Sequence, residues 1–141
     1  MSELSAFLKG NKKKRQNGYF PATKSLCDPE TGEPLMWEIK PLTTKENEEI
    51  RDDCLTQRQT PNGGFEMRLD PRKYLARITA ACVVFPDLLN AELQDSYGVK
   101  TPEALLQEMI DDPDEYSTFT DYVYHYNGFE DIEELKEQAK N

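Results

Sequence analysis

Histidine occurs once in this 141-residue chain, at His125, and tryptophan once, at Trp37. A lone histidine with no cysteine near it in sequence argues against a histidine-based metal site and against a histidine-driven nucleophile. Cys27, Cys54 and Cys82 are odd in number and far apart. That spacing excludes a full disulfide framework and any paired-cysteine zinc knuckle, and it suits reduced, partly buried thiols in a cytosol. No apolar run is long enough for a transmembrane helix. The first residues, MSELSAFLKGNKKKR, place their charges after the apolar residues and show no cleavage-like site, so they do not read as a secretory signal. Gly63-Gly64 lacks the Lys-Ser or Lys-Thr and the strand-loop-helix setting of a phosphate-binding loop. Asp111, Asp112, Asp114 and Glu115 lack the glycine and alternating ligands of a calcium loop, and helix-start capping accounts for them.

Basic residues are the scarcer charge, 17 against 27 acidic, for a net charge of -10. The imbalance is uneven: residues 1–24 sum to +5 and residues 103–141 to -10. An acidic body repels nucleic acid and anionic membranes. The Lys12-Lys13-Lys14-Arg15 cluster reads as a solvated linker, with contact to a polyanion as the alternative.

The longest apolar helical pattern starts at Asp70-Pro71, a capping residue followed by an imino acid with no N–H to leave unpaired. Tyr74, Leu75, Ile78, Ala81, Cys82 and Phe85 then recur at one-face spacing, so a central helix is predicted over about 70–85, with Val83 and Val84 in an enclosed last turn. Before it, Leu35, Trp37 and Ile39 alternate with polar neighbours, and Phe20, Ala22 and Leu26 do so more loosely around the turn at 28–33. A β-hairpin over about 19–40 is predicted, with Trp37 as core rather than a ligand platform. Thr43 and Glu46 form a reciprocal helix start, and its helix faces Ile50 and Cys54 inward. Residues 57–69 read as a mobile loop or a small hairpin tipped by Asn62-Gly63.

Downstream, Asn90, Thr101-Pro102 and Asp112-Pro113 each open a helix, and Gly98 and Gly128 close two of them. A charged helix is expected from Glu130 to Lys140. The fold class is mainly α within α+β, as a single domain. Its parts are an N-terminal helix and basic arm (1–18), a hairpin (19–42), a helical body (43–128) and a charged C-terminal helix (129–141).

No feature predicts a cleft for acid–base work, so no catalytic residue, cofactor or metal ligand is assigned. Two candidate partner-binding features remain. Leu4, Phe7 and Leu8 share one side of a short helix over residues 2–9. Tyr122 sits at the edge of the Tyr116, Phe119, Val123, Tyr126 core face and Tyr124 well off it, and tyrosine is enriched at protein interfaces. His125 falls opposite that face and is expected at the surface.

The words LSAFLKGN, PLMWEIKPLT and KYLARITAACVVFPDLLNAELQDSYGVKTPEALLQEM, with NGF before the last helix, resemble the XkdN-like phage tail assembly chaperones of tailed phages and prophages in Gram-positive bacteria. The stretch from Ala91 to Met109 after Val84-Phe85-Pro86 is the most specific part. The resemblance implies a non-enzymatic protein of the host cytoplasm, absent from the mature virion and often accompanied by a longer frameshifted form. It implies the tape measure protein as partner, held soluble during tail tube assembly, and possibly the tail tube protein. It implies no small-molecule substrate, membrane or nucleic acid, and it supplies no residue-level site. The alternatives are a structural tail component of terminator or connector type, and a small regulatory protein using the basic arm.

Overall fold

Asp70 begins the helix with the most buried residues as its residue type demands: its carboxylate accepts the Lys73 backbone N–H at 3.2 Å, and Pro71 occupies the first turn. The computed structural model describes residues 3–129. The elements preceding that helix are β1 (Gly18–Phe20), β2 (Trp37–Ile39), α1 (Thr44–Asp53), β3 (Leu55–Gln59) and β4 (Phe65–Leu69). The helix itself is α2 (Pro71–Cys82), and after it come β5 (Val83–Phe85), α3 (Ala91–Ser96), α4 (Pro102–Met109) and α5 (Pro113–Tyr126). The class is α+β. The helix expected over 130–140 lies outside the described residues.

Helix α2 buries Tyr74, Ile78, Thr79, Ala80 and Cys82. Thr79 satisfies its buried hydroxyl by donating to the Leu75 carbonyl at 2.7 Å. The Tyr74 hydroxyl donates to Asn47 on α1 at 2.5 Å, and Arg51 lies over its ring. At the exposed side Arg77 pairs with Asp53 at 3.2 Å and with Glu103 at 3.1 Å, joining α2 to the ends of α1 and α4.

Where the apolar periodicity carries the helix to Phe85, the chain instead leaves it at Cys82. Val83 and Val84 are β-branched, and Phe85 precedes Pro86, which disfavours helical backbone. The extended alternative is taken up by a neighbour: the Lys40 N–H donates to the Cys82 carbonyl at 2.8 Å, and β5 pairs antiparallel with β2. The Phe85–Pro86 bond is cis. The expected ribbon therefore gains a third strand, in the order β1-β2-β5, and β1 and β2 pair with Phe20 opposite Trp37. Leu35, expected inward, is exposed because the strand proper begins at Trp37.

A bulge sets which β5 side chains face the core. Ile39 pairs with Val83 but Glu38 with Phe85, so Val84 is the extra residue. Residues 83 and 85 would otherwise share a face. With the bulge, Val83 packs against the core beside Ile39, and Phe85, 64% exposed, stands on the outer face beside Glu38 and Tyr19.

Helix α5 covers the inner face of the sheet. Asp112 caps it, accepting from the Asp114 and Glu115 N–H groups. Glu115 reaches back to the excursion between β1 and β2, accepting from the buried Thr23 hydroxyl and the Lys24 N–H, both at 2.8 Å. Phe119 meets Trp37 edge-on at 5.5 Å between ring centroids, and Phe20 at 6.0 Å. Gly18 lies so close to α5 that an added Cβ would stand 2.9 Å from the Tyr122 hydroxyl and from the Tyr126 ring.

Residues 57–69, open between loop and hairpin on sequence, form the arms of the β3–β4 hairpin, with Leu55 to Gln59 paired against Leu69 to Phe65. Gly63 has φ +84° at its tip, and the Asp70 N–H to Cys54 carbonyl bond of 2.8 Å closes its base. The N-terminal α-helix expected over residues 2–9 is instead a pair of 3₁₀ turns, Glu3–Phe7 and Lys9–Asn11, with no buried residue. So short a segment lacks the length to hold an α-helix without a packing partner.

Candidate partner-binding surface

The five residues singled out on sequence separate into two groups. Leu4, Phe7 and Leu8 are all exposed, Phe7 to 85%. The tyrosines are structural. Tyr122 stacks on Phe20 at 4.4 Å and lies 5.9 Å from Tyr126, forming part of the seam between β1 and α5. Tyr124, expected well off the core face, is 8% exposed. Its cover comes from beyond the helix: Gly128 at φ +83° reverses the chain, the Phe129 N–H donates to the Tyr124 carbonyl at 3.2 Å, and the two rings meet at 4.8 Å. A helical wheel of α5 does not contain Phe129.

The hairpin supplies apolar surface that reasoning from sequence missed. Its register places Phe65, Met67 and Leu69 opposite Gln59, Gln57 and Leu55 on one face, and Arg58, Glu66 and Arg68 on the other. Phe65 is 68% and Met67 61% exposed. The alternation in Phe65-Glu66-Met67-Arg68-Leu69 after an Asn-Gly turn carried the signal. A second exposed group lies at the sheet's outer face, where Tyr19 and Phe85 flank Glu38, with Leu89 exposed farther along the chain. Large exposed apolar side chains gathered on a face mark contact surfaces, and phenylalanine and methionine are typical of them.

Among the described residues no group of three His, Cys, Asp or Glu is placed to hold a metal ion. His125 is exposed, with Nδ1 2.9 Å from the Asp121 carbonyl. Burial pushes the Cys82 thiol up to about 11 and raises that of Cys54 as well, whereas Cys27 is exposed. A thiol reacts as its thiolate. At pH 8 a disulfide reagent is therefore expected to titrate Cys27 alone in the folded protein and all three thiols in urea. Rapid native labelling of Cys82 would show the α2–β5 junction to be open.

No helix among the described residues is long and apolar enough to cross a membrane. A family model described as phage XkdN-like tail assembly chaperone protein matches residues 4–140. The phage-like element PBSX protein XkdN of Bacillus subtilis (strain 168) is 27% identical over 140 residues, covering 99% of this chain and 94% of the relative. The crystal structure of the protein YqbN superposes with a TM-score of 0.76 at 22% identity, over 92% of this chain and 99% of that one, and shows the same fold.

Proposed function

We propose that this chain, which belongs to the family of XkdN-like phage tail assembly chaperones, binds the tape measure protein in the course of tail assembly. It keeps that long chain soluble in the host cytoplasm while tail tube subunits assemble, and it leaves before the virion is mature. The observation that carries this reading is the family match along residues 4–140. The exposed apolar side chains of the N-terminal turns and of the β3–β4 hairpin supply the means.

The partner this reading calls for is a long polypeptide with apolar seams that would aggregate when bare. Phe7, Phe65 and Met67 offer large, adaptable apolar contacts to such seams. Each contact is weak, and repetition along one long partner supplies occupancy. The net charge of -10 keeps the loaded complex dispersed.

Co-expression with a tape measure protein from the same genome, followed by size-exclusion chromatography with light scattering, tests this. Co-elution of several copies per partner, with the partner rescued from the pellet, is the expected result. Phe65→Ser combined with Met67→Ser is expected to weaken the complex by roughly tenfold or more, because central apolar anchors dominate binding energy. A partner that stays insoluble, with this chain forming a closed ring alone, would instead assign it to the tail structure.

A further inference from the structure

The β3–β4 hairpin is a two-stranded sheet separate from β1-β2-β5. Two strands alone are marginal in water. Its ladder fixes which backbone groups are already used. The Asp70 N–H donates to the Cys54 carbonyl and the Thr60 N–H to the Gly64 carbonyl, both at 2.8 Å. Hydrogen-bonded and non-bonded pairs alternate along an antiparallel ladder, which makes Thr56–Arg68 and Arg58–Glu66 the bonded pairs between those two ends. Phe65, Met67 and Leu69 therefore turn their N–H and carbonyl groups away from β3, along the outer edge of β4. Phe65 to Arg68 are exposed. No proline or bulge blunts this edge, and its two charges, Glu66 and Arg68, are opposite in sign and flank Met67.

We propose that the edge of β4 binds a second copy of this chain, strand against antiparallel strand, about a two-fold axis through Met67. The register follows from Phe65-Glu66-Met67-Arg68-Leu69, whose charges make the strand its own complement. With Met67 facing Met67 of the second copy, Phe65 meets Leu69, and these pairs are joined through the outward backbone groups. Glu66 of each copy then meets Arg68 of the other in non-bonded pairs, where Cα atoms approach to about 4.5 Å and side chains are closest. Opposite charges so placed attract, and like charges destabilise. Within one chain the same two side chains pair at 3.5 Å while remaining 58% and 51% exposed, so dimerisation extends a contact that water already reaches. Arg58 lies opposite Glu66 on the β3 side, so the row from Arg58 through Glu66 to Arg68 of the second copy alternates in sign. On the reverse face, Phe65, Met67 and Leu69 of both copies form one apolar strip across a four-stranded sheet. The edge of β3 has no such match, because a pairing centred on Gln57 sets Thr56 against Arg58. A two-fold pairing closes on itself, which gives a dimer rather than a filament. The dimer is independent of the tape measure reading and stands whichever partner the apolar strip takes.

Amide hydrogen exchange and sedimentation of the full chain, from micromolar to millimolar concentration, test this. The Phe65 and Met67 amides should gain protection as concentration rises, whereas those of Glu66 and Arg68, bonded within the hairpin, should be protected throughout. Glu66→Arg and Arg68→Glu should each weaken self-association roughly tenfold or more, since either one turns both cross-copy pairs into like-charge pairs. Mixing these two variants should restore association as a heterodimer, and the double variant Glu66→Arg/Arg68→Glu should restore the homodimer. In a Cys27→Ser background, Met67→Cys should form an inter-chain disulfide under mild oxidation, because the facing Cα atoms stand about 5.5 Å apart, and Gln57→Cys should not. Exchange at Met67 that is independent of concentration overturns the proposal. So does self-association that ignores the single charge reversals or is not restored on mixing. Faster cross-linking through Gln57→Cys than through Met67→Cys would move the contact to the edge of β3 and overturn it equally.

Discussion

Phe119→Ala is expected to lower the folding free energy by about 3–5 kcal/mol, the cost of emptying a phenylalanine site that cannot collapse. Phe119 is fully buried on α5 and is one of the residues through which the helix meets the sheet. Trp37 of β2 and Phe20 of β1 both pack on its ring. Those partners are held by the strand ladder from behind, so they cannot move inward to fill the space. A loss of this size is a large part of the roughly 5–15 kcal/mol available to a domain. Urea titration followed by the emission of Trp37, the one tryptophan, reads it directly. The midpoint should fall sharply and the native emission should shift red as water reaches the indole. Phe119→Leu, which keeps most of the volume, should lose clearly less. A Phe119→Ala loss below about 1 kcal/mol would show that α5 does not pack on the sheet in this way.

Asn127→Ala should cost about 1–3 kcal/mol, because it removes one acceptor and two donations at a single point and strands a partly buried N–H. The Asn127 side chain joins three segments. Its Oδ1 accepts the Leu42 N–H at 2.7 Å, and its Nδ2 donates to the Val123 carbonyl at 2.8 Å and to Cys82 Sγ at 3.3 Å. It thus ties the end of α5 to the connection after β2 and to the last residue of α2. Chemical denaturation gives the magnitude, and amide hydrogen exchange at Leu42 gives the cause, since that amide should lose protection before its neighbours do. A loss below about 0.5 kcal/mol with unchanged exchange at Leu42 would leave Asn127 as an ordinary helix end.

Asn127 also shows what reading the sequence alone misses. From sequence it is the polar residue before Gly128, a helix terminus and nothing more. Its partners lie 85 and 45 residues away. Tyr124 failed for the same reason: Phe129 covers it from outside the helix that the wheel describes. The tyrosines proposed for partner contact turned out to hold β1 and the chain beyond α5 in place. The hairpin residues Phe65 and Met67 went unnamed because Gly63-Gly64 left the segment open between loop and ribbon.

The sequence by itself determined where helices begin. Thr43 with Glu46, Asp70, Asn90, Thr101 and Asp112 all cap as their types require, because a cap is complete within four residues. It also determined the inward faces of β2 and α1, since alternation and helical spacing name them without reference to a partner. The family was legible for a related reason, as it is carried by words of contiguous residues. The tertiary structure decided where α2 stops, which way Phe85 points, and which aromatics remain at the surface. Each of these depends on a group distant in sequence: the Lys40 N–H that takes the Cys82 carbonyl, the bulge opposite Glu38, the ring of Phe129 over Tyr124. A backbone carbonyl is satisfied equally well by a helix or by a strand neighbour, so local preference cannot choose between them until that neighbour is in place.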